Sequence, residues 1–440
     1  MKSEFSNSLT EYTIEEAISH LIDYRGKTPK KTSFGIPLVT AKIVKNGRLE
    51  PYNEFIAEKD YDSWMVRGIP KKGDVVLTVE APLGEVAQLD ETKIALAQRI
   101  VTLRGKENIL DNTYFLYILK SSSMQSQLQS RASGTTVIGI KQSELRKIVL
   151  QLPPLQIQKK IAHILSTLDD KIELGRKMNQ TLESMAQTLF KSWFVDFDPV
   201  HAKMRCKSEE ELEAAAKELG ISKEILELFP SEFEESELGM IPKGWEVNTL
   251  ENIISINPSY QLKKQSIAKY IELKKLSTSL LSIEEVEYRE YKGSGTKFKN
   301  GDTLLVRITP SLENGKRAYV DLLENEEVAW GSTEYIVLSA KNKFFAEWVY
   351  LLSISDSFRQ YAIGSMNGSS GRQRVPNDAV RNYKLPIASN NLIKIFSEII
   401  SIIFQKIKIN TNEIQTLQKT RDTLLPKLLS GEIDVSELEI

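Results

Sequence analysis

The chain has 440 residues, 41% of them hydrophobic and 27% charged, about three times the ~150 residues of a typical domain, so two or three globular domains are expected. Its 58 Lys+Arg against 59 Asp+Glu give a formal net charge of -1. That balance excludes a protein that grips nucleic acid by bulk positive charge and leaves local patches as the route to any such contact. Cys206 alone cannot form an internal disulfide, and His20, His163 and His201 lie far apart without cysteine partners, so neither a disulfide framework nor a metal site is expected.

The opening MKSEFSNSLTEYTIEE lacks the apolar core of a secretory signal. The most apolar stretch, 393–404, contains Lys394 and Glu398 and is too short to span a bilayer. A cytoplasmic protein with no membrane partner is expected. Residues 25–48 hold seven basic groups, Arg25, Lys27, Lys30, Lys31, Lys42, Lys45 and Arg48, and no acidic one, with Thr28, Thr32, Ser33, Thr40 and Asn46 interleaved. Gly26-Lys27-Thr28 has the end of a phosphate-binding P-loop, but Leu21 stands where the first glycine belongs and Pro29 follows at once, which argues against nucleotide binding. Val75–Val79 and Ile100–Leu103 read as strands, and Thr113–Leu128 reads as helical. A polar loop with Arg131, Ser133, Thr135 and Thr136 follows.

After Leu152-Pro153, apolar residues recur at Ile161, Ile164, Leu168, Ile172, Met178, Leu182, Met185, Leu189 and Trp193. Steps of three and four, with Gly175 filling one slot, predict one long helix with a single buried stripe. Residues 196–238 carry 13 acidic and 5 basic groups, net -8, including the solvated helical run Glu209-Glu210-Glu211-Leu212-Glu213. They read as a connector, and without them the other 397 residues stand at +7.

In the second half, Asn257-Pro258-Ser259-Tyr260 resembles the Asn-Pro-Pro-Tyr motif of amino-methyltransferases, which act on a flipped base. The second proline is missing and no glycine-rich cofactor loop follows a strand upstream, so a strand-ending turn is the favoured reading. Lys263, Lys264 and Gln265 come next, then Lys292, Ser294, Thr296 and Lys297. Thr303–Ile308 and Tyr335–Leu338 read as strands and Phe345–Tyr361 as helical. A Gly/Ser-rich loop with Asn367, Ser369, Arg372, Gln373 and Arg374 precedes Leu385-Pro386. The second long stripe runs Leu392, Phe396, Ile399, Ile403, Ile407, Leu417, Leu424 and Leu428, broken at Asn410, Glu413 and Thr420, with Ile414 one residue along.

These features form a repeat. Gly73-Asp74-Val75-Val76-Leu77 returns as Gly301-Asp302-Thr303-Leu304-Leu305, and Asp170-Lys171-Ile172 aligns with Gln405-Lys406-Ile407, at offsets of 228 and 235. Each half is a mixed domain, a Leu-Pro mark and a helix of ~40 residues, about 60 Å long. Equal length and similar stripes predict that the helices pair as a coiled coil, against the alternative that each packs alone on its own domain. The fold class is α/β (α+β), divided as 1–153, a helix at 154–195, a connector at 196–240, a second domain at 241–388, a helix at 389–430 and a tail at 431–440. No Ser/His/Asp, Cys/His or paired-carboxylate arrangement stands out, so no catalytic residue is assigned. Lys and Arg supply phosphate contacts, while Arg, Asn, Gln and Thr read base edges. Matching basic clusters in two repeats therefore point to duplex DNA.

The chain resembles the specificity subunits of type I restriction-modification systems. The resemblance rests on Ile22-Asp23-Tyr24-Arg25-Gly26-Lys27-Thr28-Pro29, Ala81-Pro82-Leu83-Gly84-Glu85-Val86-Ala87, Leu152-Pro153-Pro154-Leu155, Phe194-Val195-Asp196-Phe197-Asp198-Pro199-Val200, Ile241-Pro242-Lys243-Gly244-Trp245 and Thr423-Leu424-Leu425-Pro426-Lys427-Leu428-Leu429-Ser430-Gly431-Glu432-Ile433. It implies two target recognition domains, each reading one half of a bipartite double-stranded DNA site. The helices would be an antiparallel coiled coil that sets the unread gap. Modification subunits would bring S-adenosylmethionine and adenine methylation, and restriction subunits ATP, Mg and cleavage, while this chain holds no cofactor. A degenerate DNA adenine methyltransferase and a coiled-coil adaptor without a DNA role stay open as alternatives.

Overall fold

The computed structural model describes residues 9–438 except 92, 279–280, 284–285, 325 and 370. The first eight residues of the opening segment, Ser370 of the Gly/Ser-rich loop and the last two residues of the tail thus lie outside the described residues. The chain divides into two units: residues up to Ile172 together with those from Thr416, and Glu173–Gln415.

The central sheet of the first unit has four antiparallel strands in the order Ile18–Asp23, Ile100–Gly105, Val75–Val79, Leu83–Gln88. All five residues of Val75–Val79 are buried, which suits a β-branched run covered on both faces. A second sheet orders Ala95–Leu96, Ile36–Val39, Phe55–Ile56 and Lys31–Thr32. A third pairs Thr10–Thr13 with Val149–Leu152. The second unit repeats the plan. Its central sheet runs Ile254–Ile256, Tyr335–Ala340, Thr303–Val306, Arg317–Tyr319; the next runs Glu287–Glu290, Ile267–Ile271, Ala329–Gly331, Thr296–Phe298; the last pairs Glu246–Thr249 with Lys384–Ile387.

The repeated Gly-Asp marks do the same job twice. Gly73 and Gly301 have φ of +88° and +87°, the left-handed region that favours glycine. Asp74 then accepts from the Lys71 amide, and Asp302 from the Lys299 amide, both at 2.8 Å. Beyond that the copies diverge. Asp74 takes a bidentate pair from Arg104 at 2.7 Å on both arms, whereas Asp302 accepts from the Tyr260 hydroxyl at 3.2 Å, and burial pushes its carboxyl upward. The expected helices around Thr113 and Phe345 are each two helices broken at a serine. Ser121 separates Asn112–Lys120 from Ser122–Ser130, and Ser355 separates Ala346–Ile354 from Asp356–Gly364; each hydroxyl caps the second helix.

The long helices are Leu155–Phe194 and Asn390–Ser430. Within the first unit, Leu155–Ile172 lies antiparallel to the segment from Thr416: Asp169 meets Arg421 at 2.6 Å and the Lys160 ammonium donates to the Ser436 carbonyl at 2.6 Å. Within the second, Asn179 meets Asn410 and Phe194 meets Phe396, again in opposed directions. The buried stripe is shifted from the expected one. Met178 and Met185 are exposed, and Asn179, Glu183 and Ala186 are buried in their stead. Glu183 draws the helix round by accepting from Tyr350 Oη at 2.6 Å, the Leu281 amide at 2.7 Å and the Arg317 guanidinium at 3.1 Å. On the second helix, Ile414 fills the seam that Glu413 leaves, and Asn410 is buried as predicted apolar neighbours would be.

The acidic stretch is helical at Asp198–Arg205, Glu209–Glu218 and Lys223–Glu227. It packs on the second unit through Val200 and Phe229, the latter edge-on to Trp193 at 5.1 Å. No helix among the described residues is long and apolar enough to cross a membrane.

Candidate nucleic-acid interface

The seven cations of residues 25–48 do not stay equally available once the chain folds. Arg25 donates to the Ile140 carbonyl at 3.1 Å and faces Asp23 at 3.9 Å, so it ties the end of the first strand to the loop before residue 141. Lys31 and Lys42 converge on Glu54 at 2.6 and 3.4 Å. Hydrogen bonding from Lys31, then the two positive charges, holds the Glu54 carboxyl below its ordinary value despite partial burial. Arg48 pairs with Glu50 at 3.2 Å. Lys27, Thr28, Lys30 and Lys45 are exposed, and among the described residues none of these three lysines has an ion-pair partner. Lys45 and Arg48 flank Asn46-Gly47, both at positive φ, the two-residue turn of the Val44–Lys45/Arg48–Leu49 hairpin.

The second basic group of this unit sits on a projecting loop. Ser133 and Gly139 exchange amide hydrogen bonds at 2.9 and 3.0 Å, closing a narrow loop whose tip, Thr135, Thr136, Val137 and Ile138, is exposed. Arg131 stands at its base, 3.5 Å from Glu144. The loop is anchored to the central sheet because the Ile140 amide donates to the Val79 carbonyl at 2.9 Å.

The second unit builds the same object. Asn367 and Arg374 exchange amide hydrogen bonds at 3.0 and 2.9 Å, and the Val375 amide donates to the Arg307 carbonyl at 2.9 Å. Ser369 and Arg372 are exposed at the tip, while Gln373 is held by the Thr309 hydroxyl at 3.1 Å. Lys263, Lys264 and Gln265 form an exposed turn brought beside residues 291–297: the Gln265 amide donates to the Tyr291 carbonyl at 2.8 Å, and a side chain at Gly293 would meet the Lys264 stem. Lys292 and Ser294 are exposed. Thr296 and Lys297 lie in the strand beside Trp330 and are half-buried. Asn257, by contrast, is absorbed by the sheet: its amide donates to the Val337 carbonyl and its side-chain oxygen accepts from the Val337 amide, both at 2.8 Å.

Two ion pairs escaped the sequence reading. Arg374 forms a forked pair with Glu334, with nitrogen–oxygen distances of 2.6 to 3.1 Å, and in the first unit Arg99 pairs with Glu80 at 3.4 Å. Arg99 and Glu334 occupy equivalent positions, since their carbonyls accept from the Val79 and Arg307 amides in the same way. Each loop base therefore carries one ion pair with the signs exchanged. Arg99 and Glu334 share the offset of 235 already seen in the helices, whereas their partners Glu80 and Arg374 come from different strands and no repeat spacing links them.

Residues 22–184 match the family described as the Type I restriction modification DNA specificity domain. Over 417 residues the chain is 27% identical to the type I restriction enzyme MjaIX specificity subunit of Methanocaldococcus jannaschii, covering 92% of this chain and 88% of that one. It is 26% identical to the type I restriction enzyme HindI specificity subunit of Haemophilus influenzae, covering 82% and 87%. The S subunit of a type I restriction-modification system from M. genitalium shares the fold, with a TM-score of 0.50 at 17% identity over 96% of both chains. The fold is a duplicated sheet-and-helix domain, each copy packed on its own stretch of antiparallel helix and carrying a projecting loop. The chain is thus similar over most of its length to specificity subunits of type I restriction-modification systems, and its residues 22–184 match their DNA specificity domain.

Proposed function

We propose that each of the two domains reads one half of a bipartite site in double-stranded DNA, and that the paired helices fix the unread gap and dock modification subunits. The observation that carries this reading is the recurrence, in both domains, of a projecting polar loop at the same place beside the central sheet (Ser133–Gly139 and Asn367–Arg374), with an exposed lysine pair (Lys30-Lys31 and Lys263-Lys264) ahead of corresponding strands. Lysines hold phosphates and set register, while Thr, Ser, Asn and Arg at loop tips reach base edges. On the helices, Leu174, Met178, Met185, Ile402 and Ile409 are exposed; apolar side chains open along a helix pair suit a protein partner. In this reading the chain itself is not catalytic and binds no cofactor. S-adenosylmethionine, ATP and Mg act on the modification and restriction subunits, and the assembly works in the cytoplasm.

The test is to express the chain with its modification subunits in a host without other adenine methylation and to map methylated adenines across the genome. The expected result is one motif of two short specified blocks separated by a constant gap. A continuous motif, or no new methylation, would overturn the reading.

A further inference from the structure

The two projecting loops are rooted at equivalent residues, Ile140 and Val375, whose amides donate to the Val79 and Arg307 carbonyls. The carbonyl of each root residue is held as well, in both units by an arginine side chain. Arg25 Nη2 donates to the Ile140 carbonyl at 3.1 Å, and Arg307 Nη2 donates to the Val375 carbonyl at 2.7 Å. These arginines are not copies of one another. The ladder pairs Thr78–Ile100 and Val306–Tyr335 make Val79 the counterpart of Arg307, and valine has no donor to offer. Arg25 instead follows the strand Ile18–Asp23. After the matching strand Ile254–Ile256 the second unit has segment 257–260, where the Tyr260 hydroxyl bonds Asp302 and Ser339 and leaves the loop alone. The same atom of the loop root is thus gripped by a guanidinium delivered from two different strands.

Stability alone gives no reason for this. In both arginines Nε is buried and makes no hydrogen bond among the described residues. A water molecule or a main-chain donor on the same carbonyl would avoid that desolvation. What the arginine provides is a fixed root, because the N–H and the C=O of one residue are both bound to the sheet side of the loop. Thr135 and Thr136 lie a few residues before Ile140, and Ser369 and Arg372 a few before Val375, all exposed. Any rotation at the root therefore swings the tip. Hydrogen bonds to base edges are directional, and a reading side chain has to be held within about 0.5 Å of its place.

We infer that Arg25 and Arg307 are positioning residues of base recognition, each fixing the loop that reads one half-site while contacting no base itself. This rests on the DNA-reading function proposed above. The test uses the full chain with its modification subunits and the duplex site mapped by methylation. Arg25→Met and Arg307→Met remove the donors and keep the length of the side chain; Arg25→Lys and Arg307→Lys keep the charge and one donor. Each is compared with the parent on the cognate duplex, on random duplex and on a panel with each base pair changed in turn. Hydrogen exchange is read at the loop amides and at the central-sheet amides. Each methionine variant should lose about ten-fold on the cognate duplex, the scale of one base contact. Random-duplex affinity should stay within about two-fold, since phosphate contacts are untouched. Discrimination should fall in one half-site for Arg25→Met and in the other for Arg307→Met, with faster exchange in the loop of that unit and parental exchange in its sheet. The lysine variants should recover most of the discrimination. Parental discrimination in the methionine variants, an equal loss on cognate and random duplex, or lysine variants as impaired as the methionine ones overturns the inference. So does faster exchange shared by loop and sheet, which would make the arginines general stabilisers. If the parent complex shows no site preference at all, the DNA-reading function falls and this inference with it.

Discussion

The Asn410 amide donates to the Asn179 side-chain oxygen at 2.9 Å, within the seam between the two long helices, and both residues are at least 95% buried. Asn179 passes its own amide to Thr411 Oγ1 at 3.1 Å. A polar pair inside such a seam is satisfied only when the two helices are aligned so that the residues meet, which ties the alignment to one solution. Asn179→Leu alone should destabilise the chain by about 1–3 kcal/mol, because Asn410 is left buried without its acceptor. Replacing both by leucine should recover or exceed parental stability while admitting slipped alignments. Urea unfolding of the three variants, with disulfide trapping of the helix alignment, checks both statements.

Glu183 is the second polar centre of that unit, buried with Arg317 and Tyr350. Glu183→Ala should cost about 3–5 kcal/mol, since it strands a buried guanidinium. Tyr350→Phe keeps the pair and should cost about 1.5–3 kcal/mol. Equal losses in thermal melts would contradict the central role of the carboxylate.

Glu54 restrains two lysines of the first domain. Glu54→Gln should therefore tighten DNA binding and steepen its salt dependence, whereas Lys30→Ala or Lys263→Ala should flatten the log–log salt slope by about one unit each. Arg25→Ala should act mainly by loosening the loop it bonds through Ile140, with a smaller change in slope. Titrations at several salt concentrations separate these outcomes.

Burial raises the Asp321 carboxyl to about 6. The unfolded chain releases this proton near pH ~4, so the folded state binds it more tightly and stability from this group falls as pH rises from about 4 through about 6. Asp321→Asn should be more stable than the parent at pH 8, by about 3 kcal/mol, and close to it near pH 4. A parent-like difference at both pH values would show that the carboxylate is solvated as an ion.

Removing one heptad from each long helix, residues 171–177 and 412–418, keeps Asn179, Asn410, Asp169 and Arg421 and preserves the phase of the seam. It shortens the pair by about 10 Å, the rise of about three base pairs. Methylation mapping should then give the same two half-sites with a gap about three base pairs shorter. An unchanged gap would separate helix length from site spacing.

The sequence made the duplicated plan, the two long helices and the polar break at Asn410 legible, because each is written in local periodicity. What it concealed depends on partners distant along the chain. The cationic run 25–48 looked unopposed until folding delivered Asp23, Glu50 and Glu54 to it. Met178 and Met185 looked like core on spacing alone, yet three hydrogen bonds to Glu183 turn a different face inward.

The exchanged signs at the two loop bases limit how the halves can be recombined. A crossover that joins the Val75–Val79 strand and Glu80 to the Tyr335–Ala340 strand would set Glu80 and Glu334 in competition for the single guanidinium of Arg374. The reciprocal joint would leave Arg99 facing Ile308 with no carboxylate. Whole domains can be traded without meeting either conflict, so new target sequences are far more readily assembled by swapping intact readers than by blending them.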